Sequence, residues 1–142
     1  IAVATAFLSA VADRLGYWGA PGSPNVVWGN WTNFLDYSNQ LNSYVSPQIG
    51  EILAITATAL ELGFAFLLIA GLKTRIISFA TGILLSLFAI SMSLAFGLKA
   101  SFDYSVWIAV SACFLLGTVK EYHYSLAHYF KNERRESSTS DL

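Results

Sequence analysis

Glu61 is the residue of this chain whose type and position most invite chemistry. It stands near the middle of the apolar run IGEILAITATALELGFAFLLIAGL, from Ile49 to Leu72. A carboxylate at membrane depth is costly, so such groups face a bundle interior or a water-filled cavity and are functional by default. Neutralisation is the cheapest response of such a group. Two roles stay open: a proton-accepting or ligand-binding carboxyl, for instance hydrogen-bonded to a quinol hydroxyl, or a structural carboxyl bonded to a hydroxyl. Thr58, Ser86, Ser91, Ser93 and Ser111 could supply that hydroxyl.

Asp13 and Arg14 are the next candidates. Neighbours on a helix point about 100° apart, so these two are poorly placed to pair with each other. Each needs a partner elsewhere. Arg14 can snorkel to the outer interface or meet Asp103 or Glu51 near the same boundary. The expected arrangement is an outer-boundary cluster of Asp13, Arg14, Glu51, Lys99 and Asp103; the alternative is separate interfacial charges.

Other chemistries are excluded or disfavoured by the residue inventory. His123 and His128 are five apart, about 140° on a helix, unlike the i, i+4 spacing that aims two imidazoles at one metal. No metal site and no haem is expected. Cys113 is the single cysteine, which rules out an internal disulfide, a Cys-x-x-Cys pair and a multi-cysteine metal site. A thiol deep in an apolar run is inert and packs. There is no Ser-His-Asp constellation, Gly-rich phosphate loop or nucleophile elbow.

The elements that position these residues follow from the distribution of charge. The chain of 142 residues is 55% hydrophobic and only 12% charged, with a formal net charge of -1. A soluble domain carries about 25% charged residues, and a nucleic-acid binder an excess of basic ones. Both classes are therefore disfavoured, and no nucleic-acid partner is expected. Apolar residues gather in four blocks, about 1–16, 49–72, 76–98 and 102–119. The second and third, at about 1.5 Å per residue, suffice to cross about 30 Å of hydrocarbon. The fourth is short but sufficient. The first lacks a basic start and is followed by three more spans, so it reads as a transmembrane helix whose beginning lies outside this chain. The expected fold class is all-α: an integral membrane four-helix bundle, residues 1–121, with the remainder a tail.

Basic residues set the expected orientation. Lys73 and Arg75 join the second and third spans, and Lys120, Lys131, Arg134 and Arg135 follow the fourth. Both regions, and with them both termini, are expected in the cytoplasm. The outer loop 17–48 has no Lys or Arg, and the third connection only Lys99.

Within the outer loop, YWGAPGSPN forbids continued helix. VVWGNWTNFLDYSNQLNSYV then alternates so that Trp28, Trp31, Phe34, Leu35, Leu41 and Val45 share one helical face. That predicts an amphipathic helix at the outer interface, either as an anchor or as a lid or partner platform. Trp18, Trp28, Trp31, Tyr37, Trp107, Tyr122 and Tyr124 are the expected interfacial anchors, in contact with membrane lipids. The tail 122–142 is expected to be cytoplasmic, with affinity for anionic headgroups near Lys131, Arg134 and Arg135 and disorder after about residue 132. Small residues such as Ala54, Ala57, Gly63, Gly82 and Gly117 allow close helix approach in lipid.

These features together resemble the DoxX family of small four-helix bacterial membrane proteins. The resemblance is carried by ELGFAFLLIAGLKTRIISFATGILLSLFAISM, by AFLSAVADRLGYWG and WGNWTNFLDY before it, and by GLKASFDYSVW after it. It implies a multi-pass protein of the bacterial cytoplasmic membrane, linked to redox systems, and carries over no catalytic residues. Related four-helix proteins that exchange disulfides use cysteine pairs, which this chain lacks. The leading expectation is an accessory, non-catalytic subunit of a membrane redox or electron-transport complex. The alternatives are a stand-alone quinone-interacting oxidoreductase component, with quinone as its cofactor, and a small transporter component. Against the last, four spans are few and none is interrupted by Gly or Pro in the way that builds transporter sites.

Overall fold

The computed structural model describes residues 1–120 and 122. Those residues form helices and no strands: α1 (Ala2–Arg14), α2 (Trp31–Leu41), α3 (Pro47–Ala70), α4 (Thr74–Phe96), α5 (Leu98–Asp103) and α6 (Val106–Thr118).

The two long helices owe their limits to local signals. The Ser46 side chain accepts from the Ile49 N–H, and Pro47 takes the first helical position, where its missing N–H costs nothing. At the other end Gly71 adopts φ 66°, a left-handed conformation that suits glycine. The Gly71 N–H then reaches the Leu68 carbonyl and the Leu72 N–H the Leu67 carbonyl, closing a Schellman motif. Lys73, itself left-handed at φ 46°, turns the chain directly into α4.

Helices α3 and α4 are long and apolar enough to cross a membrane by length and composition. Only 17% and 33% of their most apolar stretches are buried by the rest of the protein. A soluble core helix would be mostly covered. Here Ile52, Leu62, Phe66, Ile83, Leu87 and Leu94 face outward instead.

The fourth apolar block does not form one helix. After Gly97 the chain makes α5, turns at Tyr104 and the left-handed Ser105 (φ 55°), and only then builds α6. With 13 residues each, α1 and α6 are about 20 Å long, shorter than the hydrocarbon core.

One core cluster draws on four helices: Ala4 and Phe7 of α1, Ala65 of α3, Leu84 and Leu85 of α4, and Val110 and Cys113 of α6. Helix α1 packs on α3, and α4 packs on α6. In the latter seam the Phe79 ring lies over Gly117 and the Phe114 ring over Gly82. These two contacts fix an antiparallel register that sets the end of α6 level with the start of α4.

Helix α2 begins at Asn30, whose side chain accepts from the Asn33 N–H at 2.8 Å. It packs on α3 and α4. The Tyr37 ring stacks on Phe96 at 5.7 Å, and the Asn39 side chain occupies the space that a Cβ at Gly50 would need. The helix is thus seated against both long helices. Burial pushes the Tyr37 phenol above its usual range, with Tyr104 adding to the shift.

A candidate functional site: a buried ion pair beneath the first loop

Helix α1 ends beside the middle of α3, and its last two residues point to different elements. Asp13, 5% exposed, turns to the loop ahead of α2. Its carboxylate accepts three backbone N–H groups, those of Val27 at 3.0 Å, Trp28 at 3.1 Å and Gly29 at 3.2 Å. Gly29 takes φ 69° with its α-carbon close to the Pro21 backbone, a conformation and a space open to glycine alone. One carboxylate therefore fixes the whole entrance to α2.

Arg14 turns to α3. Its Nη2 donates to Glu61 Oε1 at 3.0 Å and its Nη1 to Thr58 Oγ1 at 2.8 Å, while Nη1 also lies 2.7 Å from Glu61 Oε2. Thr58 passes the chain on by donating to the Ala54 carbonyl. The guanidinium carbon lies 3.9 Å from the Phe34 ring centroid and 5.3 Å from that of Trp28. Both charged side chains are almost fully withdrawn, at 6% and 2% exposure. Arg14 Nε and Glu61 Oε2 make no directed hydrogen bond among the described residues. The pair is thus held by charge, one fork-like contact and an aromatic cover.

The elements form one device. Asp13 clamps the loop, the clamped loop sets Trp28, and α2 sets Phe34. Those two rings close over the ion pair that joins α1 to α3.

The expected outer-boundary cluster does not assemble. Asp13 and Arg14 lie inside with the loop amides and Glu61. Lys99 and Asp103 pair with each other, i to i+4, on the exposed helix α5. Glu51 is exposed and makes no ion pair among the described residues. The reason is depth: α1 stops level with the middle of α3, so Arg14 never reaches the boundary where Glu51 and Asp103 stand. Nor, among the described residues, does a hydroxyl hold Glu61. Ser86, Ser93 and Ser111 donate back to carbonyls of their own helices, and Thr58 serves Arg14.

The expected anchors divide likewise. Trp18 is 60% exposed and donates to the Ser9 carbonyl, as an interfacial ring can. Trp28 covers Arg14, and half-buried Trp31 packs on Phe34 at 5.3 Å. Trp107 points inward, donating to the buried Ser101 hydroxyl at 3.0 Å. The Tyr122 hydroxyl donates to the Leu116 carbonyl at 2.7 Å. Tyr124, both histidines and the rest of the tail lie outside the described residues. Among the described residues no three His, Cys, Asp or Glu side chains converge as a metal site requires.

Sequence reasoning singled out Glu61 and Arg14 but not their union. The 100° divergence of Asp13 and Arg14 was the usable signal, since it sends them to separate partners. The covering role of Phe34 and Trp28 had no signal beyond a shared apolar face.

Residues 27–94 match the family model described as DoxX. Over that stretch the chain is similar to the DoxX family. The match opens at Val27, the first amide that Asp13 holds, and runs through α2 and α3 and most of α4. Of the ion pair the match includes Glu61 but not Arg14. No curated protein and no solved structure gives a significant match to the chain. That similarity and the outward-facing apolar helices α3 and α4 both support a membrane protein.

Proposed function

We propose that this protein is a DoxX-like accessory subunit of a redox or electron-transport complex in the bacterial cytoplasmic membrane, not an independent catalyst. Its helices form a four-span bundle in which α1 and the α5–α6 pair join α3 and α4. The Lys73–Arg75 turn and both termini face the cytoplasm.

The observation that carries this reading is the state of Glu61. The carboxylate that would serve as a proton or ligand group is taken up by Arg14, and aromatic rings close the approach. What the molecule leaves available is helix surface, since Ile52, Leu62 and Phe66 on α3 and Ile108 and Leu115 on α6 are exposed. Such surfaces suit lateral packing on other membrane helices, which proceeds by van der Waals fit.

The test is native mass spectrometry of the protein extracted from its own membranes in mild detergent. The reading expects a defined assembly with at least one other polypeptide bearing a redox centre. Migration as a single chain at every detergent concentration, or a stoichiometric quinone retained by the isolated chain with turnover lost in Glu61→Gln, would overturn it.

A further inference from the structure

The turn between α3 and α4 carries an unclaimed set of donors. Helix α4 runs 23 residues from Thr74, and no side chain caps its start. Its Ile76 and Ile77 N–H groups bond the Lys73 carbonyl, but those of Thr74 and Arg75 meet no acceptor among the described residues. Lys73 is left-handed and Thr74 helical, a succession that turns neighbouring N–H groups toward one point and makes an anion-binding concavity. The helix dipole adds partial positive charge there.

A second and independent observation concerns Thr74 itself. The residue is 9% exposed, and its Oγ1 is buried with no hydrogen-bond partner. Elsewhere in this helix Thr81, Ser86 and Ser93 satisfy their hydroxyls on the carbonyl four residues back, while the buried Ser78 hydroxyl, one turn on from Thr74, is likewise unpartnered among the described residues. Side chains lean toward a helix's N-terminus, so the Thr74 hydroxyl is directed to the same end as the free N–H groups. A buried hydroxyl left unsatisfied is destabilising, a cost that an acceptor at that point would remove.

Charge and depth specify the acceptor. Lys73 and Arg75 are exposed on either side of Thr74, and the register of Phe79 over Gly117 brings exposed Lys120, just past α6, to the same end. Of the acidic residues in the described part, Asp13, Asp36, Glu51, Glu61 and Asp103, none belongs to this turn; Glu121, next to Lys120 in the sequence, lies outside the described residues. The turn closes two apolar helices long enough to span a bilayer, so it stands at headgroup depth. We propose that the α4 N-terminus binds the phosphate of an anionic phospholipid, received by the Thr74 and Arg75 N–H groups and the Thr74 hydroxyl and flanked by Lys73, Arg75 and Lys120.

The experiment is native mass spectrometry of the full chain in nanodiscs of phosphatidylglycerol or of phosphatidylcholine, with adduct occupancy as the readout. One phosphatidylglycerol retained per chain, with phosphatidylcholine retained poorly, is the expected result. Thr74→Val keeps the side-chain shape and removes the hydroxyl, and should weaken retention about tenfold, the worth of one hydrogen bond to a charged group. The pair Lys73→Gln with Arg75→Gln changes exposed side chains only, and should weaken it at least as much if Thr74→Val does not fold. Equal retention of the two lipids, or unchanged retention in the folded variants, overturns the proposal. So does saturable binding of inorganic phosphate in lipid-free detergent that displaces the lipid, which would make the site one for free phosphate.

Discussion

The Arg14 guanidinium and the Glu61 carboxylate meet at 2.7 Å although 47 residues separate them in the chain, and each is at most 6% exposed. Neither charge would be stable at that depth alone. Together they join the end of α1 to the middle of α3, and the loop that follows α1 returns to cover the contact. The residue that makes this return possible is Asp13, next in the chain to Arg14. Two adjacent side chains, diverging by helix geometry, thus fasten a helix and its own lid.

Removing one partner of a buried pair leaves the other uncompensated, at a cost of about 3–5 kcal/mol. Glu61→Gln and Arg14→Met should each lower the thermal unfolding midpoint in detergent sharply. The double variant Arg14→Met with Glu61→Gln should be more stable than either single variant, because no charge is then left unpaired. Additive losses in this cycle would show that the two side chains do not depend on each other.

Asp13→Asn keeps one acceptor oxygen and the side-chain size but removes the charge that serves three amides. The expected loss is about 1–3 kcal/mol, concentrated locally. Hydrogen exchange at Val27, Trp28 and Gly29 should accelerate, and Trp28 fluorescence should shift toward the red as the ring leaves Arg14. Exchange rates in the middle of α4 should stay unchanged, since the core cluster of Leu84 and Leu85 does not rest on this loop.

The loop also depends on Gly29. An added Cβ would lie 2.6 Å from the Pro21 backbone nitrogen, at a φ of 69° that L side chains rarely adopt. Gly29→Ala should therefore cost at least about 2 kcal/mol from strain and overlap together. It should open the same three amides as Asp13→Asn. If Gly29→Ala unfolds at the wild-type midpoint, the loop is not held as described.

The long helices were legible because α3 and α4 announce themselves by length and lack of charge. Their ends were offset by two residues, since hydropathy ignores the Ser46-Pro47 start and the Gly71 stop. The division of the fourth block at Tyr104–Ser105 was not legible. A left-handed serine has no compositional sign, and Phe102 and Trp107 made the stretch read as one apolar run. Glu61 was found because an isolated carboxylate in an apolar run is conspicuous. Its partner was missed because pairing depends on where α1 stops relative to α3, a matter of depth that spacing along one helix does not encode. The loop's aromatic face was found for the same reason as any amphipathic helix, but the same residues serve equally to anchor in lipid or to cover a guanidinium. Only the position of Asp13 against residues 27–29 decides between those uses.

Two helix glycines offer a final contrast. Gly117 of α6 faces the Phe79 ring of α4, and an added Cβ would meet that ring at 2.9 Å. The ring is buttressed by Phe114 at 6.0 Å, so it has little room to retreat. Gly117→Ala should force the α4–α6 seam apart and cost about 1–3 kcal/mol, as overpacking does. Gly63 of α3 is exposed, and nothing lies within 4 Å of its would-be Cβ. Gly63→Ala meets no neighbour and removes the backbone freedom of an interior glycine, which is worth about 1 kcal/mol in a helix. It should therefore hold or raise the unfolding midpoint. Measured side by side in one detergent, the two variants should move in opposite directions. Equal destabilisation would mean that α3 buries its Gly63 face in the isolated chain, and that the outward-facing surface on which the subunit reading depends is already occupied.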